Sequence, residues 1–504
     1  MRQESAFPCA VSLRRLLPQA SFVDCTNLCV TDAFDHSSDV QSGALFAVVR
    51  GTKTDGHRFI AEALARGAAG LLVEQPIPDS PVPQCVVADV RSAFSRLCQS
   101  LSGSPSHRLN TVGVTGTNGK TTTTWLIRSM LERSGQRCGL LGTVEYSDGQ
   151  SSGSSSLTTP DSRSLAKWLE QMVGVGTRYA AIELSSHSLH QGRSAGVELE
   201  AAIVTNVTQD HFDYHHTFDA YLEAKSRILE QVRPAGLVTL NMENPAAWAL
   251  RDRVCKSLKC VSFGIHCPAD VNAQILDESL SRTRFRLNIH GKTVDCVTRL
   301  VGRHNISNIL AAAATASHLG LSPQEIVSGI EAFRCVPGRL EQIECGQPFH
   351  VFVDYAHTDD ALSRCLSSLE SLTPGRVICV FGAGGDRDRT KRPKLGQAAV
   401  RADLAIVTSD NPRSENPQSI IDEILVGMRS ASTSPIVEVD RRKAIQRALS
   451  IARPGDCVLI AGKGHEDLQI IGDEQLPFDD RQIARELLRD RWQPLAQSPA
   501  RASA

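Results

Sequence analysis

The sequence predicts an α/β protein of three domains: a smaller N-terminal α/β domain, a central doubly wound sheet with a phosphate loop, and a C-terminal Rossmann-like domain. Three observations carry this. The chain has 504 residues, more than one hydrophobic core serves, so about three domains are expected. Short apolar runs alternate with amphipathic runs of helical period, the pattern of mainly parallel sheets. One apolar run, LNTVGVT, enters a turn with three glycines and a lysine and leaves into an amphipathic stretch.

Composition narrows the function. Hydrophobic residues make up 41% and charged residues 22%, as in a soluble globular enzyme. A net charge of -1 argues against general binding to nucleic acid or anionic membranes. The 15 cysteines are scattered with no C-x-x-C pair, which disfavours a zinc ribbon or thioredoxin-like site and favours reduced thiols. The N-terminus, MRQESAFPCAVSLRRLL, lacks a basic start followed by a long apolar core. No uncharged run of about 18 apolar residues exists. The expected location is the cytoplasm, with no membrane or nucleic-acid partner.

The first domain is expected at 1–107. GALFAVV, AGLLV and QCVVADV are predicted strands; HRFIAEALARG and RSAFSRLCQSL are predicted helices, the first stopped by Gly67. SGSPSHRLN is a predicted linker. The second domain is expected at 108–336, with strands at RYAAIEL, EAAIVTNV and GLVTLN. The tract SDGQSSGSSSLTTPDS predicts a mobile surface loop. SRTRFRLNIHGKTVDCVTRL alternates polar and apolar, as in an antiparallel edge or small subdomain, and the helix NISNILAAAATASHLG ends at Gly320. The third domain is expected at 337–504, with strands at FHVFVDY, RVICVFG, ADLAIVTS and DCVLIAG. The tail QSPARASA is expected to be disordered.

The loop Gly116-Thr117-Asn118-Gly119-Lys120-Thr121-Thr122 is the candidate nucleotide site. Helix N-termini offer unpaired N–H groups and a positive dipole end, which suit phosphate. Lys120 can reach outer phosphates and Thr121 can place its hydroxyl on Mg²⁺. An ordinary strand–turn–helix junction accounts poorly for these residues together. The common pattern is G-x-x-x-x-G-K-S/T, but here Val114 takes the first glycine position. A second unusual feature is TFDAYLEAKSRILEQV, where Lys225 falls on the apolar stripe of Phe218, Tyr221, Leu222, Ile228, Leu229 and Val232. A single such lysine usually snorkels to water. A desolvated one has a lowered pKa and can take up CO₂ as a neutral amine.

T-G-T-N-G-K-T-T resembles the ATP loop of the Mur ligases and their folylpolyglutamate synthetase relatives, which join an amino acid to a carboxylate through an acyl phosphate. The resemblance runs over essentially the whole chain, more weakly in the first domain. It implies that Lys225, in the context YLEAK, is carbamylated and helps hold Mg²⁺. TNVTQDHFDYHH resembles the family's N-x-x-x-D-H-x-D segment, which maps a metal-holding histidine onto His211. Glu183, in AIELSSH at a strand end, would be the acidic partner. Carboxylate, imidazole and carbamate make a hard site suited to Mg²⁺.

The resemblance also implies substrate contacts. Thr158 and Thr159 match a T-T pair that contacts the sugar-nucleotide peptide; Ser185, Gln191 and Arg193 match further contacts. In the first domain Ser37 remains of a D-S-R triplet, here His36-Ser37-Ser38, expected at the uridine diphosphate; Thr52, Lys53 and Thr54 align with further nucleotide contacts. VGRHNISNIL places Asn305 near adenine, PGRLE offers Arg339 to ATP phosphates, and VDYAHTDDAL offers Asp354 to a ribose hydroxyl, with His357 on the following turn.

Asp410-Asn411-Pro412-Arg413 follows the predicted strand LAIVTS. As an Asn-Pro turn it leaves Arg413 idle; as a ligand site it aims an arginine fork at a carboxylate. Within the Mur ligases D-N-P-R marks enzymes selecting meso-diaminopimelate, which carries a distal carboxylate that lysine lacks. Arg387, Gly462 and Glu466 complete the implied pocket. The expectation is an ATP-dependent, ADP-forming ligase of peptidoglycan precursor synthesis, adding meso-diaminopimelate to UDP-N-acetylmuramoyl-L-alanyl-D-glutamate, with ATP, Mg²⁺ and a Lys225 carbamate, and acting as a monomer. Rivals are a family ligase using lysine or folate, disfavoured by Arg413 and the long first domain, and a nucleotide-operated binding switch, disfavoured by the paired Rossmann-like halves and by Glu183, His211 and Lys225.

Overall fold

The computed structural model describes residues 10–51, 54–431 and 433–492. Thr52, Lys53 and the QSPARASA tail lie outside the described residues. The chain divides into two compact units: Met1–Ala273 with Asn288–Val294 and Ser307–Gly329, and Gln274–Leu287 with Asp295–Ile306 and Ile330–Ala504. Among the described residues no helix is long and apolar enough to cross a membrane.

The first unit opens on a five-stranded sheet in the order Ser21–Val23, Gln84–Val86, Gly70–Val73, Leu45–Ala47, Ala33–Phe34. Only the first pair is antiparallel. The helix Val90–Leu101 starts where Asp89 accepts from the amides of Arg91 and Ser92, and it buries Val90, Ala93, Phe94 and Leu97 with Leu45 and Leu72. Gly67 stops the preceding helix at φ +92. The segment expected as a linker holds a 3-10 turn, Pro105–Arg108, with Pro105 and Ser106 buried.

The larger sheet of this unit decides where the site lies. Its parallel strands run Cys138–Leu141, Tyr179–Glu183, Asn110–Thr115, Leu199–Val204, Val232–Asn241, Lys259–Gly264. The chain starts at Asn110–Thr115, builds two strands to one side, and then returns to build on the other. The crevice at the carboxyl end of that first strand is therefore a topological switch point, where such sheets bind ligands. The Gly/Ser tract expected as a loop instead supplies a strand, Ser152–Ser154, paired antiparallel with Glu145–Ser147. Its small side chains leave the backbone unobstructed at a sheet edge, and Tyr146 and Leu157 exchange hydrogen bonds behind it.

The alternating stretch after 266 forms three strands, Val271–Glu278, Thr283–Ile289 and Lys292–Thr298. In the middle one Thr283, Phe285, Leu287 and Ile289 are buried while Arg284 and Arg286 are exposed.

The second unit contains a six-stranded sheet ordered Glu341–Gln342, His350–Asp354, Cys457–Ala461, Val377–Phe381, Leu404–Val407, Ile436–Val437, parallel after the first pair. Helices Asp359–Glu370, Lys391–Ala399 and Pro417–Val426 pack into the core on one face. Arg441–Ile451 and Asp480–Trp492 pack on the other, so this sheet too is doubly wound.

Candidate active site

The phosphate loop joins Asn110–Thr115 to the helix Lys120–Arg133 and is sewn to the end of the neighbouring strand. Thr117 N donates to Asn206 O at 2.8 Å, Asn118 N to Asn206 Oδ1 at 3.0 Å, and Thr205 Oγ1 to Asn118 O at 2.6 Å. Two glycines are demanded by space as well as by backbone. A Cβ on Gly116 (φ +151) would lie 1.9 Å from Thr205 Oγ1, and one on Gly119 (φ +88) 2.2 Å from Asn308 Oδ1. Gly119 stands at the cap position and offers no side chain to the first-turn amides, which suits an anion. Thr121 and Thr122 are buried in the first turn.

Lys225 is buried on the helix Phe218–Ser226, whose start is capped by Thr217 accepting from Ala220 N. Its Nζ donates to Gly116 O at 2.8 Å and lies 4.5 Å from the centre of the Tyr221 ring. Lys120 Nζ donates to the same carbonyl at 2.9 Å. Two amines thus crowd one oxygen. Burial, with Lys120 beside it and Asp210 only partly opposing, holds the Lys225 pKa well below the ordinary lysine value. The side chain does not snorkel.

Glu183, at the end of Tyr179–Glu183, is fully buried. It accepts from Thr121 Oγ1 at 2.9 Å, from Thr143 N at 2.8 Å and from Thr143 Oγ1 at 3.1 Å. Among the described residues it has no ion-pair partner, and a buried carboxylate held only by neutral donors is suited to a cation. His211 takes a left-handed backbone at φ +54, with Nε2 3.3 Å from Asp210 Oδ2 and its ring 4.9 Å from that of His187. Burial pushes its pKa below the ordinary value against the pull of Asp210. Among the described residues no group of three or more His, Cys, Asp or Glu is set to hold a metal. The expected set has only two such residues, because its third ligand oxygen would come from modified Lys225.

The expected dipeptide contacts gather beside Glu183. Thr159 Oγ1 donates to Glu183 O at 2.6 Å and accepts from Ser185 N at 3.1 Å, while Thr158 accepts from Thr143 Oγ1 at 3.1 Å. Arg193 donates to Thr159 O at 3.2 Å and twice to Gln191 Oε1, at 3.0 and 2.7 Å. Burial lowers the Arg193 pKa, the mark of a desolvated cation. Ser37 joins none of these contacts; its hydroxyl donates to Glu62 Oε2 at 2.7 Å.

In the second unit, Asp354 accepts from Ala356 N on its own turn at 2.8 Å and, with its other oxygen, from Leu340 N of the preceding segment at 2.7 Å. His357 Nδ1 lies 2.9 Å from Tyr355 O on that turn. Asn305 Nδ2 donates to Val301 O at 2.8 Å. Arg339 lies over the Tyr355 ring, 4.6 Å from its centre, and its buried Nε has no protein partner among the described residues. The D-N-P-R turn follows Leu404–Val407 and meets the loops after Val377–Phe381 and Cys457–Ala461. Asn411 Nδ2 donates to Glu466 Oε2 at 2.9 Å. Arg413, at φ +50, donates from Nη1 to Gly385 O at 2.7 Å. A Cβ on Gly384 would meet Arg413 Nη1 at 3.0 Å and Arg387 Cγ at 3.7 Å, and one on Gly462 (φ +116) would meet Asp410 Oδ2 at 2.6 Å. Arg387, Asp410, Asn411, Pro412, Arg413, Gly462 and Glu466 are thus brought together.

Four residues have roles that the sequence reading did not assign, two of them inside quoted motifs: Thr143, which orients Glu183; Asn206, the asparagine of the TNVTQDHFDYHH segment, which pins the loop; Tyr221, the tyrosine of YLEAK, whose hydroxyl is 3.1 Å from Thr117 Oγ1; and Lys463, buried behind Asn411. Tyr221 is expected on the apolar stripe; only its spacing of one helical turn from Lys225 hints at more.

A switch-point phosphate loop beside an unpaired buried carboxylate, in a chain with a second doubly wound sheet, defines a nucleotide-dependent α/β enzyme. Residues 36–98 match the model of the Mur ligase family, catalytic domain; residues 114–316 match the Mur ligase middle domain, and 338–464 the Mur ligase, glutamate ligase domain. The chain is 41% identical over 462 residues, 90% of its length and 94% of the relative's, to the UDP-N-acetylmuramoyl-L-alanyl-D-glutamate–2,6-diaminopimelate ligase of Geobacillus kaustophilus (strain HTA426). To the protein of the same name from Gloeobacter violaceus (strain ATCC 29082 / PCC 7421) it is 42% identical over 491 residues, 96% of this chain and 99% of the other. A solved structure of a ligase of that name superposes with a TM-score of 0.69 at 30% identity, covering 95% of this chain and 99% of that one. The chain belongs to the Mur ligase family.

Proposed function

We propose that this protein is an ATP-dependent, ADP-forming ligase that adds meso-diaminopimelate to UDP-N-acetylmuramoyl-L-alanyl-D-glutamate in peptidoglycan precursor synthesis. The observation that carries the choice of amino acid is Arg413 in the D-N-P-R turn, facing the Gly384-Gly385 loop and sharing a pocket with Glu466. A guanidinium fork and a carboxylate are what the distal carboxylate and ammonium of diaminopimelate require. The similarity to two diaminopimelate ligases at 41% and 42% identity supports the same reading.

The first-turn amides of Lys120–Arg133 and Lys120 itself hold the ATP phosphates, with Asn305, Arg339 and Asp354 as further nucleotide contacts. Thr158, Thr159, Ser185, Gln191 and Arg193 orient the dipeptide, and Ser37 lies with the uridine diphosphate. The glutamate side-chain carboxylate takes the γ-phosphoryl group as an acyl phosphate. The amine of diaminopimelate then attacks, and the tetrahedral intermediate expels phosphate. Most of the acceleration is positioning and charge neutralisation.

The Lys225 amine, its pKa lowered by burial, attacks CO₂ in its neutral form; an N–C bond forms as one C=O π bond opens, a proton leaves, and the lysine becomes a carbamate anion. Thr121, Glu183, His211 and that carbamate would hold Mg²⁺. When bound, the ion supplies positive charge to the transferring phosphoryl group. The unpaired, fully buried Glu183 fits such an ion.

The test is a coupling assay with ATP, the purified sugar-nucleotide dipeptide and a panel of amino acids, read by product mass and phosphate release. Release that requires both the dipeptide and diaminopimelate is expected. Release without them, or equal use of lysine, would count against this reading.

A further inference from the structure

Lys463 lies between Gly462 and Gly464, after the strand Cys457–Ala461, and is fully buried. Its ammonium has three donors, and the structure gives each a target: Asn411 Oδ1 at 3.0 Å, Glu466 Oε2 at 3.4 Å, and the Leu468 carbonyl. We propose that Lys463 is a positioning residue of the amino-acid pocket, fixing the Asn411 amide and the Glu466 carboxylate so that Glu466 Oε1 receives the distal ammonium of diaminopimelate. The proposal rests on the functional reading above and deepens it.

The chemistry of the amide carries the argument. Asn411 Oδ1 accepts from Lys463 and from Ile470 N at 3.1 Å. An amide nitrogen in that place would face two donors, so the carbonyl must point inward and the NH₂ outward. The NH₂ then donates to Glu466 Oε2 at 2.9 Å. Oε2 is therefore held from two sides, while Oε1 has no hydrogen-bond partner among the described residues. Lys463 is fully buried, whereas the Glu466 side chain is 35% exposed, so the cation anchors and the carboxylate presents.

Beside this set, Arg441 is locked to Asp480 with both side chains fully buried. Lys463 also ties in the hairpin Leu468–Ile471 with Glu474–Pro477. Gln469 Nε2 donates to Asp410 O at 2.7 Å, and Arg413 N to Ile470 O at 3.0 Å. The same frame thus sets Glu466, for the ammonium, and Arg413, for the carboxylate.

Steady-state kinetics of Lys463→Met, Glu466→Gln and the double variant test this. Lys463→Met should raise the KM for diaminopimelate about tenfold or more, the effect of losing roughly one charged contact, with the KM for ATP unchanged. The double variant should be no worse than Glu466→Gln alone, because both act through one carboxylate. Additive losses, or a KM for ATP rising in parallel, would mean a merely structural role and overturn the proposal. If Lys463→Met does not fold, Asn411→Asp keeps the lysine in place but turns an acceptor toward Glu466, and it should produce the same selective rise; an unchanged KM overturns the proposal. If the wild type does not couple diaminopimelate, the functional reading fails separately. A crystal structure of Lys463→Met then still decides: Asn411 and Glu466 left unmoved would overturn the positioning role.

Discussion

The phosphate-loop region and the D-N-P-R pocket treat buried charge in opposite ways. Around the loop, among the described residues, Glu183 is sealed from water with neutral donors, and Lys225 is sealed against a carbonyl and a ring with Lys120 crowding it. In the pocket, Lys463 has three acceptors, and Arg441 holds Asp480 through Nε at 2.8 Å and Nη2 at 2.7 Å. The first region is electrostatically unfinished and depends on what binds. In the second the buried cations Lys463 and Arg441 already have acceptors, the preorganisation that the proposed recognition of one amino acid among similar ones requires. Chemistry on a phosphoryl group tolerates an incomplete site, since the missing charges come with the substrates; selectivity does not.

The largest test of this contrast removes the lysine of the unfinished region. Lys225→Ala is expected to lower turnover by roughly a thousandfold or more, the scale of losing a preorganised electrostatic group, with partial rescue by short carboxylates. Lys225→Met should leave the ligand-free protein at least as stable as the wild type, because Asp210 only partly offsets the burial of the amine and the crowding by Lys120. Full activity in Lys225→Ala would remove the carbamate. The finished region should behave in reverse. Asp480→Asn strands the Arg441 cation and is expected to cost about 3–5 kcal/mol in urea unfolding; a loss no larger than that of a surface variant would end the contrast. Arg413→Ala should weaken diaminopimelate use by about 2–5 kcal/mol with little change in the KM for ATP, and equal losses for both would show that the arginine is not dedicated to the amino acid.

The smallest effect concerns acid. His215 is buried among His187, His190 and His211, and burial first, then those rings and Lys225, push its pKa down to about 4. Its ordinary value is 6.5. As pH falls between these values the unfolded chain takes up the proton first, so stability falls, by at most about 1.4 kcal/mol per pH unit for this group. Melting temperatures measured from neutral pH downward should fall through this window in the wild type and less steeply in His215→Gln.

Strands such as Gly70–Val73 and Asn110–Thr115 were legible because their apolar runs, GLLV and NTVGVT, adjoin clear helical periods. The phosphate loop was legible because glycine, lysine and threonine at fixed spacing have few other uses. The Ser152–Ser154 strand was not legible, since an edge strand of small residues has the composition of a loop. Tyr221 carries the pattern of a core residue and shows its hydroxyl contact with Thr117 only when the loop is folded over it. Thr143, Asn206 and Lys463 act on partners 40, 88 and 52 residues away, and no local pattern records a pairing at that distance.

The left-handed backbone at Arg413 has a consequence for how this chain can change. A side chain at φ +50 costs roughly 1–2 kcal/mol relative to glycine. Glycine there would relax the turn but delete the guanidinium, so backbone ease and the proposed carboxylate contact pull this one position in opposite directions. Arginine here is a compromise between the two, and only glycine, among its replacements, would release the strain.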